Sequence, residues 1–213
     1  MLIDTIDPNN KKVAGVMDRK LIHTSGAWHM AVHGNIIRLK NGELQILVQK
    51  RSGVVDIAKN FHDQSIAIQA ISGERDLDEI LLRGLNEELG LKKGDVDFVQ
   101  FNKNGILKVE KEYEYDNTLK NNEIIHLYII KTKANPKLAS KRVRSIKWLN
   151  WDKFVDLTHK PGCTKSVRMY TWNNQIRVEL ERAMVQFLKT GKINHVITNK
   201  GLRSFSTDKF YDL

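Results

Sequence analysis

Leu77, Leu81, Leu85 and Leu89 recur every fourth residue between Asp76 and Gly90. That spacing stacks them on one face of an α-helix, and a helix with one apolar stripe needs a layer to bury it against. Asp76 is the expected N-cap and Gly90 the expected C-terminal stop. One residue breaks the logic. Gly84 sits mid-helix, where glycine costs about 1 kcal/mol relative to alanine. Either something beside this turn needs room, or a larger side chain has been lost.

The layer is expected to be a sheet. VAGVMD (13–18), WHMAVHGNIIRL (28–39), LQILVQKR (44–51) and SIAIQAI (65–71) read as strands, with further strands near 97–109, 124–132 and 145–149. Between the second and third, KNGE (40–43) supplies the Asn-Gly pair that a tight hairpin needs. Residues 54–64 read as a loop. DKFVDL (152–157) reads as a short helix, and 166–189 as the longest helical pattern. Strands before, around and after one central helix imply a mixed α/β sheet with helices packed on it.

The chain has 213 residues, 41% of them hydrophobic, enough for one ordinary core. Its single cysteine, Cys163, excludes an internal disulfide and a cysteine metal cluster. No apolar run is long enough for a membrane helix, and the first residues lack a signal segment, so a cytoplasmic protein is expected. The net charge of +10 favours anionic partners, although charge serves solubility equally well.

On the central helix Gly84, Glu87 and Glu88 share a face, and Arg83 reaches Glu87 four residues on. Adjacent carboxylates repel unless a cation lies between them, and hard oxygen ligands favour Mg²⁺ or Mn²⁺. The plainer alternative is a solvated acidic patch with a weak Arg83–Glu87 pair.

The wider pattern favours the metal. Arg83, Leu85, Glu87, Glu88, Gly90 and Leu91 follow Arg-x-Leu-x-Glu-Glu-x-Gly-Leu. This resembles the second half of the Nudix box, Gly-x5-Glu-x7-Arg-Glu-U-x-Glu-Glu-x-Gly-U, where U is a bulky aliphatic residue. Residues 16–52, with Asp18-Arg19, His23, Gly26, Trp28-His29 and QKRS (49–52), resemble the Nudix branch that includes isopentenyl diphosphate isomerase, and IKWLNWDKF (146–154) is similar to its closing strand and helix. The resemblance covers about residues 3–157. It implies a Nudix-type α/β/α sandwich over residues 1–160, with residues 161–213 as a helical extension packed on or beside it.

The departures are specific. Counted back from Gly90, the opening glycine of the box falls on Gln69, its first glutamate on Arg75, and the glutamate after its arginine on Gly84. The box therefore reads as degenerate. A one-residue slip would let Glu74 brace Arg83 in place of the missing glutamate. Gly84 would then mark a lost metal ligand. The isomerase cysteine has no counterpart in 65–71 and Gln69 replaces a histidine, so isomerisation is not expected. His23 and His29 resemble the metal histidines of that branch, or are plain structural histidines.

The resemblance implies metal-dependent cleavage of a diphosphate linkage in a nucleoside diphosphate derivative or related small diphosphate. Glu87 and Glu88 would hold Mg²⁺ or Mn²⁺, Arg83 would brace the helix, and Glu123 would take a proton from water, with Glu112 and Glu114 as alternatives. Lys50, Arg51, Arg142 and Arg144 are the expected phosphate contacts. Basic residues gather over 137–147, which leaves open a catalytically weak module that binds nucleotide or nucleic acid. Trp28, Phe61, Trp148 and Trp151 could stack a base or fill the core. The last long helix could cover the sheet or form a homodimer.

Overall fold

A computed structural model of the chain describes residues 1–102, 106–109, 119–193 and 205–206. Its axis is one long strand, β3 (His29–Lys40), buried along most of its length. On one side β3 runs parallel to β9 (Glu123–Thr132). On the other it pairs antiparallel with β4 (Glu43–Arg51) through Ile37–Lys40, and with β6 (Ile66–Gln69) through Ala31–Gly34. Beyond β4 lies β10 (Val143–Asn150). Beyond β9 lie β7 (Val96–Gln100) and β8 (Ile106–Val109), and the two-residue β11 (Phe205–Ser206) joins β8. A hairpin of β1 (Leu2–Ile6) and β2 (Val13–Asp18) touches β3 at Thr5–His29, and β5 (His62–Asp63) pairs with β4.

Strand alternation gives this sheet two apolar faces. Val32, Ile36, Ile66, Ile68 and Ile130 meet Ile80, Leu81, Leu85 and Leu89 of α2 (Leu77–Leu89) on one face. Ala31, Ile37, Ile46, Ile125 and Ile129 meet the opposite layer: α3 (Trp151–Thr158), α4 (Lys165–Thr171) and α5 (Asn174–Thr190). The result is the α/β/α sandwich. Phe154, Val167, Tyr170, Leu180, Met184 and Phe187 lie in that second core, so residues 165–190 fill the interior rather than hang beside it. No helix among the described residues is long and apolar enough to cross a membrane.

The continuous helix expected over 166–189 is two. It breaks at Trp172 and Asn173, where the Asn173 side chain accepts from the Ile176 amide at 3.0 Å and starts α5 afresh. An asparagine that caps gains more than one inside a helix. The strand expected over 97–109 is likewise two, β7 and β8. The loop expected over 54–64 ends in β5, and a short helix, α1 (Arg19–Ser25), bounded by Asp18 and left-handed Gly26, follows β2. The Asn41-Gly42 turn has φ of 54° and 81°, as its residues require.

Candidate active site

Gly84 is explained by packing. A Cβ built there would lie 2.9 Å from Ile68 Cγ2 and 3.1 Å from Ile68 Cδ1. The glycine lets α2 settle against β6, and the reading of it as a vacated ligand position gives way to one of close approach. Asp76 caps α2 by accepting from the amides of Asp78 and Glu79, and Gly90 ends it with φ of 65°. Arg83 donates to both Glu74 carboxylate oxygens at 2.8 Å and to the Gln69 carbonyl at 3.0 Å. Glu74 thus braces the arginine as the slipped loop required.

At the end of α2 the two acids part company. Glu87 is exposed, 3.5 Å from Arg83. Glu88 is 7% exposed, and its Oε2 has no hydrogen-bond partner among the described residues. Burial pushes its carboxyl up to about 7, against the pull of Arg142 and Arg51. The segment before β10 is pinned at both ends: the amides of Lys137 and Ala139 donate to the carbonyls of Leu89 and Glu88 at 3.0 and 3.1 Å, and the Arg142 carbonyl accepts from Ser52 at 2.9 Å. Arg142 is thereby delivered to the acids.

These groups line one cavity of about 270 Å³. Arg83, Glu87 and Glu88 come from α2, Arg51 from β4, Arg142 from the pinned segment, Arg19 from α1 and Glu123 from β9. Arg51 is held by Asp63 at 3.2 Å, and Arg19 pairs with Asp56. Glu123 is buried, 3.8 Å from His29 Nε2 and 4.0 Å from His33 Nε2.

A polar layer supports the glutamate. Arg19 Nε donates to Gln69 Oε1 at 2.8 Å, which turns the Gln69 amide nitrogen toward His23 Nε2 and His29 Nε2, each at 2.9 Å. An amide nitrogen only donates, so both Nε2 atoms accept. His29 then carries its proton on Nδ1, which donates to the Ala27 carbonyl at 3.1 Å. Burial, and then the Arg19 charge, lower the His23 imidazole to about 4. The two rings share one amide donor here.

Two expected phosphate contacts are corrected. Lys50 neighbours Arg51 on β4, so it projects to the opposite face and lines a different groove. Arg144 bonds Asn60 Oδ1 at 3.3 Å, and does not line the cavity. Glu112 and Glu114 lie outside the described residues. None of Trp28, Phe61, Trp148 and Trp151 lines the cavity. Trp151 is core, donating Nε1 to Glu181, and Trp148 carries the Arg38 guanidinium 4.0 Å above its ring. Sequence reasoning missed Arg19, His33 and Asp63. Only the Asp18–Gly26 cap signals around α1 could have suggested that Arg19 is placed on a rigid element.

The acids suit a hard divalent cation. Glu88 offers a buried oxygen without a partner, and Glu87 stands beside it. Among the described residues no group of three or more His, Cys, Asp or Glu could hold a metal ion. Mg²⁺ does not need one, since it takes one or two carboxylates and completes its shell with water and substrate phosphate.

No protein-family model matches the chain. An uncharacterised Nudix hydrolase of Clostridium acetobutylicum is 30% identical over 132 residues, which cover 62% of this chain and 60% of that protein. DR0079 of Deinococcus radiodurans superposes with a TM-score of 0.60 at 16% identity, covering 85% of this chain and 98% of that one. The chain is thus similar to a Nudix hydrolase over about three-fifths of that protein's length, and it shares the fold of DR0079. A MutT protein of Methanosarcina mazei has the same fold, with a TM-score of 0.52, 17% identity and coverage of 72% and 96%. These relatives support neither the isomerase-like branch nor a degenerate Nudix box. Cys163 is buried, its thiol pushed up to about 11 by burial, and it donates to the Leu157 carbonyl at 3.4 Å. A protonated, engaged thiol outside the cavity is no isomerase nucleophile.

Proposed function

We propose that this chain is a Nudix hydrolase and cleaves a diphosphate linkage, in a nucleoside diphosphate derivative or a related small diphosphate, with Mg²⁺ or Mn²⁺. The observation that carries the reading is one cavity where Arg19, Arg51 and Arg142 face Glu87, Glu88 and Glu123. Guanidinium forks suit phosphate oxygens, and carboxylates suit the cation that accompanies them. A divalent ion held by Glu87 and Glu88 supplies Lewis acidity toward phosphate and water. Arg51 and Arg142 orient the diphosphate and offset charge developing on its oxygens. Glu123 accepts the proton of the attacking water as the new P–O bond forms and the bridging P–O bond breaks, leaving its electron pair on the departing phosphate. Arg19 and Gln69 hold the rings of His23 and His29 in place, the latter beside Glu123, and Asp63 aims Arg51.

A panel of nucleoside diphosphate derivatives and small diphosphates, incubated with either metal and assayed for nucleotide or phosphate release, tests the reading. Turnover that Glu88→Gln reduces by a hundredfold or more is expected. Tight, salt-sensitive RNA or DNA binding with no turnover on any diphosphate would refute it.

A further inference from the structure

Lys50 leads to a second groove, of about 380 Å³, on the other face of β4 and β10. Lys50 and Lys147 reach it from these two strands, Lys153 from α3 and Lys160 from the turn beyond. His62 and Asp156 complete its polar rim, and Val48, Leu149 and Leu157 form its floor. Among the described residues Asp156 is the sole acid of the lining, which leaves them a surplus of three positive charges. None of the four lysines has an ion-pair partner among the described residues.

Ammonium groups repel one another, and their convergence over an apolar floor is unfavourable unless an anion joins them. A protein that needs only solubility gains as much from lysines spread over its surface. The groove is on the small-ligand scale. Among the described residues no tryptophan, tyrosine or phenylalanine lines it to offer the stacking platform that single-stranded nucleic acids use. Lysine is a compact point charge, suited to a multiply charged phosphate approached from several directions.

We propose that this groove is a second binding site, for a small multiply charged phosphate anion, separate from the catalytic cavity. Its strands are shared with that cavity: Lys50 and His62 face the groove, while their neighbours Arg51 and Asp63 form the ion pair of the active site. The site stands whether or not the chain hydrolyses diphosphates.

Inorganic tripolyphosphate is the probe, titrated calorimetrically into the whole chain without divalent metal at low salt. The double variant Lys147→Glu/Lys153→Glu should bind at least tenfold more weakly at one class of sites, and Arg142→Glu should leave that class intact. Both lysines are exposed, so the fold is expected to hold, and a melting curve verifies it. Independently, tripolyphosphate should protect Lys147 and Lys153 from an amine-acylating reagent, read by mass spectrometry in wild type. Unchanged affinity in the lysine variant, loss of all binding in Arg142→Glu, or absence of protection would overturn the proposal. So would an oligonucleotide that outcompetes tripolyphosphate for these lysines.

Discussion

Replacing Gly84 with alanine puts two effects of known sign in opposition. Helix propensity favours alanine by about 1 kcal/mol. Packing opposes it, because the new methyl would meet Ile68 Cγ2 at 2.9 Å, Cδ1 at 3.1 Å and Cβ at 3.2 Å. Carbon atoms prefer about 3.5–4.0 Å, so several tenths of an ångström must be found. Ile68 is a β-branched residue on a strand and cannot swing away cheaply. Overpacking of this kind costs about 1–3 kcal/mol, so Gly84→Ala should destabilise the protein by about 1 kcal/mol net. For a chain of this length that lowers Tm by about 2–4 °C. In an Ile68→Ala background the obstruction is gone, and the same substitution should become stabilising by about 1 kcal/mol. Chemical denaturation of the four proteins in this cycle measures the change of sign. The wild-type background should also lose turnover, because α2 carries Glu87 and Glu88. Stabilisation of wild type by Gly84→Ala would refute the close-approach account.

Three further outcomes follow from the site. The Glu88 carboxyl, raised by burial to about 7, is destabilising when ionised: the penalty grows from pH 4.5 to about 7 and is constant above. Glu88→Gln, melted without divalent metal, should therefore gain on wild type across that window, by at most about 3 kcal/mol. His23 runs the other way: its folded value of about 4 is below the ordinary 6.5, so the stability of its neutral form, intact above 6.5, is lost as pH falls toward 4. His23→Gln should flatten that limb of the Tm-versus-pH curve. Glu74→Ala removes both carboxylate contacts to half-buried Arg83 and should cost about 1 kcal/mol in denaturant, with lower turnover at saturating substrate.

The sequence was most legible where its periodicities were long and its stops clean. The Leu77–Leu89 stripe, between a capping aspartate and a left-handed glycine, gave α2 almost to the residue. The Asn41-Gly42 pair gave the β3–β4 hairpin. Glu87, Glu88, Arg83 and Glu123 meet at one cavity because their motif belongs to α2 and the start of β9. What escaped notice was set by contacts between distant segments. Only the register of β6 against α2 reveals Ile68 over Gly84. The opposite directions of Lys50 and Arg51 follow from alternation along β4, but which of them meets the acids depends on which face receives α2. Arg19 enters through a seven-residue helix too short to show a period.

The pinned segment ahead of β10 has an evolutionary consequence. Loops on a protein surface ordinarily accept insertions at little cost. Here the strap from Ala139 to Arg142 is tied to the Glu88 carbonyl at one end and to the Ser52 amide at the other. It is three Cα-to-Cα steps long, about 10 Å at full stretch. An added residue has nowhere to go but a bulge that swings Arg142 off the acids, and a deletion tears one of the ties. Length is frozen in this strap, so descendants of this chain would change what they accept there by exchanging side chains at Ser140 and Lys141, while the spacing between helix and strand is inherited unaltered.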